Sequence, residues 1–262
     1  MSNRTSDTDP GFKTVDILGC PVAAVERSDV VDLVDRSIRK EKQLHIGVIN
    51  AAKITNMQRD PLLSKDVLSS DIILADGAAI VLASKLLRRE LPGRVTGIDL
   101  MFDMLKLSSQ KRYRVYCLGA TEEVSQCVAD KIASEYPGVI LAGRRNGYFS
   151  ADEEEAVANA IRNAQADILF VAMTSPKKES FMAKWVEVMN VHVVHGVGGS
   201  FDVMAGKVQR APERWQRLGM EWLYRVKQEP GRLWWRYFET NTLFCWSLLK
   251  VLLGFDKRHK LD

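Results

Sequence analysis

The chain has 262 residues, which at about 100–200 residues per domain allows one large domain, or a medium domain with an appendage. With 46% hydrophobic and 27% charged residues it lies in the globular range, which excludes a disordered tail or a fibrous array. The formal net charge is +4, from 37 Lys/Arg against 33 Asp/Glu, and it is uneven: 12 Lys/Arg and 6 Asp/Glu lie from Ala205 onward, so that stretch carries +6 and the first 204 residues −2.

Four cysteines (Cys20, Cys117, Cys127, Cys245) are scattered without a CxxC pair. That argues against a structural zinc site or a disulfide framework, and for a reducing compartment. Met1–Pro10 is polar and lacks the apolar segment of a secretory signal, so the expected location is cytoplasmic. No run reaches the roughly 18 apolar residues of a membrane span. Leu243–Phe255, interrupted by Lys250, is too short to cross a bilayer but long enough to lie on one.

In chain order, residues 1–12 are expected to be disordered and Thr14–Leu18 to form a first strand. Ser28 then reads as the N-cap of a helix whose Val30, Val31, Val34 and Ile38 recur at helical spacing. Strand Leu44–Ile49 ends at Asn50 and is followed by a helix through Met57 and another from Pro61. The pattern continues with strand Ile72–Ala75, helices Ala79–Leu87 and Ile98–Ser108, strand Arg114–Leu118, helix Glu122–Glu135 and strand Val139–Leu141. Helix Asp152–Ala164, strand Ile168–Ala172, helix Lys177–Met189 and strand Val191–Val194 complete it.

Strands without a polar face, such as Ile168–Ala172, belong inside a sheet covered on both sides. The expected fold is therefore α/β, a mostly parallel sheet flanked by helices in a Rossmann-like arrangement, over residues 13–209. Residues 210–262 are expected to form a basic, aromatic-rich helical appendage, with two or three helices between Glu213 and Leu253 broken at Pro230-Gly231. Five of the six tryptophans lie there, and only Trp185 lies outside. Indoles among cations suit the interface with anionic head groups, where each cation gains about 1 kcal/mol. Nucleic acid would attract the same composition, and simple packing onto the domain would also account for the aromatics.

In an open parallel sheet, ligands bind beyond the carboxyl ends of the strands, so the polar residues at those ends are the site candidates. Asp76 follows an apolar strand and precedes Gly77, a position for a general base at the edge of low-dielectric packing; an Asx turn or helix N-cap fits the same pair. Gly119-Ala120-Thr121 opens a helix and offers backbone N–H groups to an anion, or is a tight turn without a dinucleotide fingerprint. His195-Gly196-Val197-Gly198-Gly199-Ser200 permits close approach of a ligand, although His195 alone also reads as a strand-end structural residue. Lys177 and Lys178 put two cations at a helix start, where the macrodipole favours anions or where they are merely solvated. Arg94, Gly97 and Asp99 form a further polar knot, in which Asp99 also fits as an ordinary first-turn acid.

Together with Val197-Gly198-Gly199-Ser200-Phe201-Asp202, Arg210-Ala211-Pro212, Glu221-Trp222, Arg225, Pro230, Arg232 and Tyr237, these pieces follow one ordered pattern over about residues 14–240. It resembles that of the WecG/TagA/CpsF glycosyltransferases of bacteria. The resemblance implies inverting transfer from a UDP-sugar, of the N-acetylmannosamine, N-acetylmannosaminuronic acid or glucose type, to a polyprenyl-diphosphate-linked saccharide in surface or exopolysaccharide synthesis. It implies Asp76 as general base with Asn50 and Lys178 beside it. Substrate binding falls to Arg94, Asp99, Gly119, Thr121, Lys177, Glu179, His195, Gly198, Gly199, Phe201, Asp202, Arg210, Arg214, Arg225 and Arg232.

No cofactor or metal is expected, since no Asp-x-Asp motif follows a predicted strand, the triplet Asp7-Thr8-Asp9 lying in the polar N-terminal segment, and the arginines can meet the diphosphate charge. The implied partners are the donor, the lipid-linked acceptor and an anionic membrane surface at its cytoplasmic face, without nucleic acid; self-association through an apolar tail stays open. Two residues depart from the pattern. Lys178 stands where relatives carry Gln, and Val48 where many carry Thr. A catalytically inactive nucleotide-sugar-binding scaffold is the alternative function, and a nicotinamide-type oxidoreductase finds no GxGxxG to support it.

Overall fold

The structure, a computed structural model, describes residues 11–255, apart from the side chain of Arg232. The segment expected to be disordered falls largely outside these residues; within them, Phe12 rests half-buried against the core.

The chain opens with β1 (Thr14–Ile17) and β2 (Cys20–Ala23), then α1 (Arg27–Arg39), β3 (Leu44–Ile49), α2 (Ala51–Arg59), α3 (Pro61–Leu68), β4 (Ile72–Ala75) and α4 (Ala78–Leu86). After α5 (Gly97–Lys111) come β5 (Arg114–Gly119), α6 (Glu122–Glu135), β6 (Ile140–Arg145), α7 (Glu154–Asn163), β7 (Ile168–Ala172), α8 (Lys177–Met189) and β8 (Val193–Gly196). Four helices close the chain: α9 (Ser200–Met204), α10 (Glu213–Arg217), α11 (Glu221–Gln228) and α12 (Pro230–Leu252).

Six strands form one parallel sheet in the order β4-β3-β8-β7-β5-β6, the α/β class that the apolar strands predict. Its two faces bury different residues because side chains alternate along a strand. Ile46, Leu74, Cys117 and Phe170 pack against α1, α5, α6 and α9. On the other face Ile73 and Ala75 meet α2, α3 and α4, and Leu118, Leu169 and Val194 meet α7 and α8. Every residue of β3, β4 and β7 is buried.

Several expectations need correction. Thr14–Leu18 is a strand, as read, but ends at Ile17: the chain turns at Leu18 (φ 53°) and Gly19 (φ 86°), and β1 pairs antiparallel with the unforeseen β2 as a hairpin apart from the main sheet. A leucine at positive φ hides this two-residue turn from sequence. Helix α1 is capped at Glu26, whose N–H donates to Asp29 Oδ2 at 2.9 Å, so Ser28 lies inside the helix. Strand β6 runs on through polar Arg144 and Arg145, and β8 begins at Val193, opposite Leu44 and Ile168, because pairing with neighbours sets the ends. The short helix α9 gave no periodic signal at all.

The amphipathic α12 lies along α2. Phe244, Leu248 and Val251 are buried there, at about 1.5–3 kcal/mol per side chain. Thr55 Oγ1 donates to Thr240 O at 3.2 Å, Arg59 pairs with Glu239 at 2.8 Å and Ser247 Oγ donates to Gln58 Oε1 at 3.0 Å. Its other face leaves Trp235, Phe238, Trp246, Leu249 and Leu253 in solvent, Trp235 at 68% exposure. No described helix is long and apolar enough to cross a membrane.

Candidate active site

The carboxyl ends of β4, β3, β8 and β7 gather most of the predicted residues. β4 ends at Ala75, and the N–H of Asp76 still donates to Ile49 O at 2.8 Å. Gly77 then takes φ +130°, a backbone strained for any residue with a side chain, and α4 starts directly after it. This turn holds the Asp76 carboxylate half-buried at the strand end. Since Ile49 lies opposite Ala75, Asn50 ends the neighbouring strand beside Asp76. Asn50 Oδ1 accepts from Lys53 N–H at 2.9 Å and caps α2, which leaves its NH₂ group to donate elsewhere.

Burial pushes the Asp76 pKa above the ordinary carboxylate value and wins over the nearby cations Arg225, Lys53 and Lys178, which pull it down. Those lysines share one partner. Glu179 Oε1 lies 2.6 Å from Lys53 Nζ and 3.4 Å from Lys178 Nζ, with all three side chains under 10% exposed. Burial raises the Glu179 pKa, but the two ammonium groups outweigh it and bring the carboxyl down to about 2. Burial chiefly lowers Lys178, with Lys53 adding to it, to about 8. Lys178 runs beneath the glycine loop: a Cβ on Gly196 would stand 3.0 Å from its Cδ and Cε, and one on Gly198 3.8 Å from its Nζ.

The appendage covers this crevice. Gly219 takes φ +71° and packs on Ala78, where an added Cβ would come within 2.2 Å of the Ala78 Cβ. Arg94 Nη1 pairs with Glu221 Oε2 at 3.0 Å, and Arg94 Nη2 donates to Gln216 O at 2.8 Å. Arg210 Nη1 pairs with Asp99 Oδ1 at 2.7 Å. Asp99 is held below its ordinary pKa, because hydrogen bonds from Arg210 and Thr96 outweigh the upward push of burial. Four predicted or motif residues are thus committed to one another. Arg225 is near enough to Asp76 to draw its pKa down, and it lines an open cleft between the Gly199–Asp202 turn and the appendage, together with Leu233, Arg236 and Tyr237.

Other predicted residues sit in the packing. His195 is fully buried, donates from Nε2 to Gly97 O at 3.2 Å and is pushed by burial to a pKa of about 4. Phe201 is a fully buried core residue. Gly119 touches β7, where a Cβ would strike Ala172 O at 2.3 Å, and Thr121 caps α6 by accepting from Val124 N–H. Lys177 Nζ is pinned to Phe149 O at 2.8 Å and lies 4.2 Å from the Phe149 ring centroid. Arg214 is exposed on α10, and the Arg232 side chain lies outside the described residues. Sequence reasoning missed Lys53, whose place between apolar Ile49 and Ile54 was the available signal, and Arg236. Among the described residues, no three His, Cys, Asp or Glu side chains cluster as a metal set.

The sheet, the acid at its mouth and the basic cover form one crevice, and comparison with known proteins bears on its class directly. The model of the glycosyl transferase WecG/TagA/CpsF family matches residues 15–258, and the chain belongs to this family of glycosyltransferases. Among curated relatives, the N-acetylglucosaminyldiphosphoundecaprenol N-acetyl-beta-D-mannosaminyltransferase of Bacillus subtilis is 37% identical over 186 residues, 71% of each chain. The enzyme of the same name from Bacillus spizizenii is 35% identical over 191 residues, 73% of each chain.

Proposed function

We propose that the chain transfers a hexose derivative, with inversion, from a UDP-sugar to a polyprenyl-diphosphate-linked saccharide, and that Asp76 is its general base. The observation that carries this reading is the Asp76 side chain at the end of β4, its proton affinity raised by burial, beneath a basic appendage whose Gly219 turn rests on Ala78 two residues away. A raised pKa suits a base that must take a proton near neutral pH. Asp76 removes the proton of the acceptor hydroxyl as that oxygen attacks the anomeric carbon, and UDP leaves from the opposite face. Charge growing on the departing diphosphate is met by Arg225, by Lys178 beneath the glycine loop and by the N–H of Gly199, without a metal, the N–H of Gly198 donating instead to Val171 O at 3.4 Å. Arg236 extends this cationic lining.

The names of the relatives support a lipid-diphosphate acceptor ending in N-acetylglucosamine and N-acetylmannosamine as the sugar moved. The aromatic face of α12, with Arg236 and Lys250 on the same helix, supports attachment to an anionic membrane surface on the cytoplasmic side, where such acceptors are anchored. Membership of an enzyme family leaves the inactive-scaffold and oxidoreductase readings without support. The test is UDP release by the purified chain with UDP-N-acetylmannosamine and a short-chain polyprenyl-diphosphate N-acetylglucosamine. Release that requires both substrates is the expected result; no release with this or any other UDP-hexose overturns the reading.

A further inference from the structure

We infer that Glu221 is a positioning residue that latches the appendage over the crevice and thereby holds Arg225 in the cleft beside the Gly199–Asp202 turn. This rests on the proposed role of Asp76, but it concerns residues that no comparison assigns.

Little apolar burial holds the first part of the appendage. Val226 is the one buried residue of α11, and α10 has none. Polar contacts must therefore supply the fit, and they converge on Glu221. Its Oε2 takes the 3.0 Å pair from Arg94, and its Oε1 lies 3.8 Å from Arg210 Nε. Arg94, from the loop between α4 and α5, also grips Gln216 O near the end of α10, so one core guanidinium binds both helices. Asp99, in the first turn of α5, fixes Arg210 from the other side. The Glu221 and Arg94 side chains are about a quarter exposed, and an ion pair at this depth is screened less than one on the surface. Between α10 and α11 the turn at Gly219 rests on Ala78, two residues past Asp76, so the latch closes directly above the proposed base.

Arg225 lies four residues beyond Glu221, on the same face of α11. Its place in the cleft is thus set by the helix that Glu221 fastens. Removing the Glu221 charge takes from Arg94 its ion-pair partner and from Arg210 its weaker one, leaving Arg210 on Asp99, which favours lifting of α11.

The experiment compares Glu221→Gln with the unaltered full chain by amide hydrogen exchange and by UDP release. Opening of α11 is expected to rise about tenfold or more, equivalent to about 1.4 kcal/mol, while amides of β3, β4 and β7 stay protected and show that the core is folded. Turnover is expected to fall about tenfold with donor KM little changed, because the contact of Arg225 strengthens as the diphosphate departs. Glu221→Asp, which keeps the charge, should recover part of both effects. Arg94→Gln should reproduce them, and the double variant Arg94→Gln with Glu221→Gln should be no worse than either alone.

Unchanged α11 exchange in both single variants, or strictly additive losses, overturns the latch. Faster exchange with unchanged turnover overturns the positioning of Arg225. If α11 exchange accelerates as expected but the unaltered chain transfers no sugar to any acceptor, the latch stands and the proposed function fails.

Discussion

Lys53 Nζ lies 2.6 Å from Glu179 Oε1, with the two side chains 9% and 4% exposed, one on the helix after β3 and the other on the helix after β7. The pair joins both sides of the crevice floor. Removing one partner of a buried ion pair leaves the other uncompensated, at about 3–5 kcal/mol. Lys53→Met is expected at the low end of that range, because Lys178 Nζ remains 3.4 Å from the same oxygen. Urea unfolding of Lys53→Met, Glu179→Gln and the double variant checks it, and the double variant is expected to lose less than the sum of the singles.

Acid stability follows from two groups whose folded pKa is lowered. His195 drops from 6.5 to about 4 and Glu179 from 4.5 to about 2. For each, the unfolded chain takes up its proton first as pH falls, so stability is complete above about pH 6.5 and then declines. His195 accounts for the loss between 6.5 and 4, and Glu179 for that between 4.5 and 2. Urea midpoints measured from pH 8 to 3 should show the decline, and His195→Gln should flatten its upper part.

Lys178 gives an alkaline limit to activity. Its pKa of about 8 means that the ammonium beneath the glycine loop loses its charge as pH rises through that value. Turnover is expected to fall there. Lys178→Gln should lower turnover about tenfold to a hundredfold at pH 7 and abolish the limb near pH 8, whereas Lys178→Arg should move the limb upward. A pH–rate profile of the three proteins decides it.

The two faces of α12 should separate cleanly by mutation. Leu248→Ala on the docked face is expected to cost about 2–5 kcal/mol of stability. Trp235→Ala together with Phe238→Ala on the solvent face should leave the melting temperature within a degree or two yet weaken binding to anionic vesicles, as should added salt. Co-sedimentation alongside thermal melting measures both.

Much of this architecture was legible because apolar strands and amphipathic helices carry their own periodicity. Ile168–Ala172 could only be a central strand, and Asp76-Gly77 marked in advance the turn that ends Ile72–Ala75. What stayed hidden depended on distant partners. Nothing local to Arg94 or Arg210 says that they face Glu221 and Asp99 rather than a ligand. His195 and Phe201 stood next to informative glycines, yet strand pairing and helix packing turn both side chains into the core. Lys53 stayed out of the candidate set because the carboxylate that holds it, Glu179, comes from a distant helix.

Asp76→Asn is the most direct test, since it removes the base and keeps the shape of the half-buried side chain. Turnover measured by UDP release should fall by about a hundredfold to ten-thousandfold, with UDP affinity by calorimetry and the melting temperature nearly unchanged. Asp76→Asn protein that releases UDP at close to the unaltered rate would contradict the account.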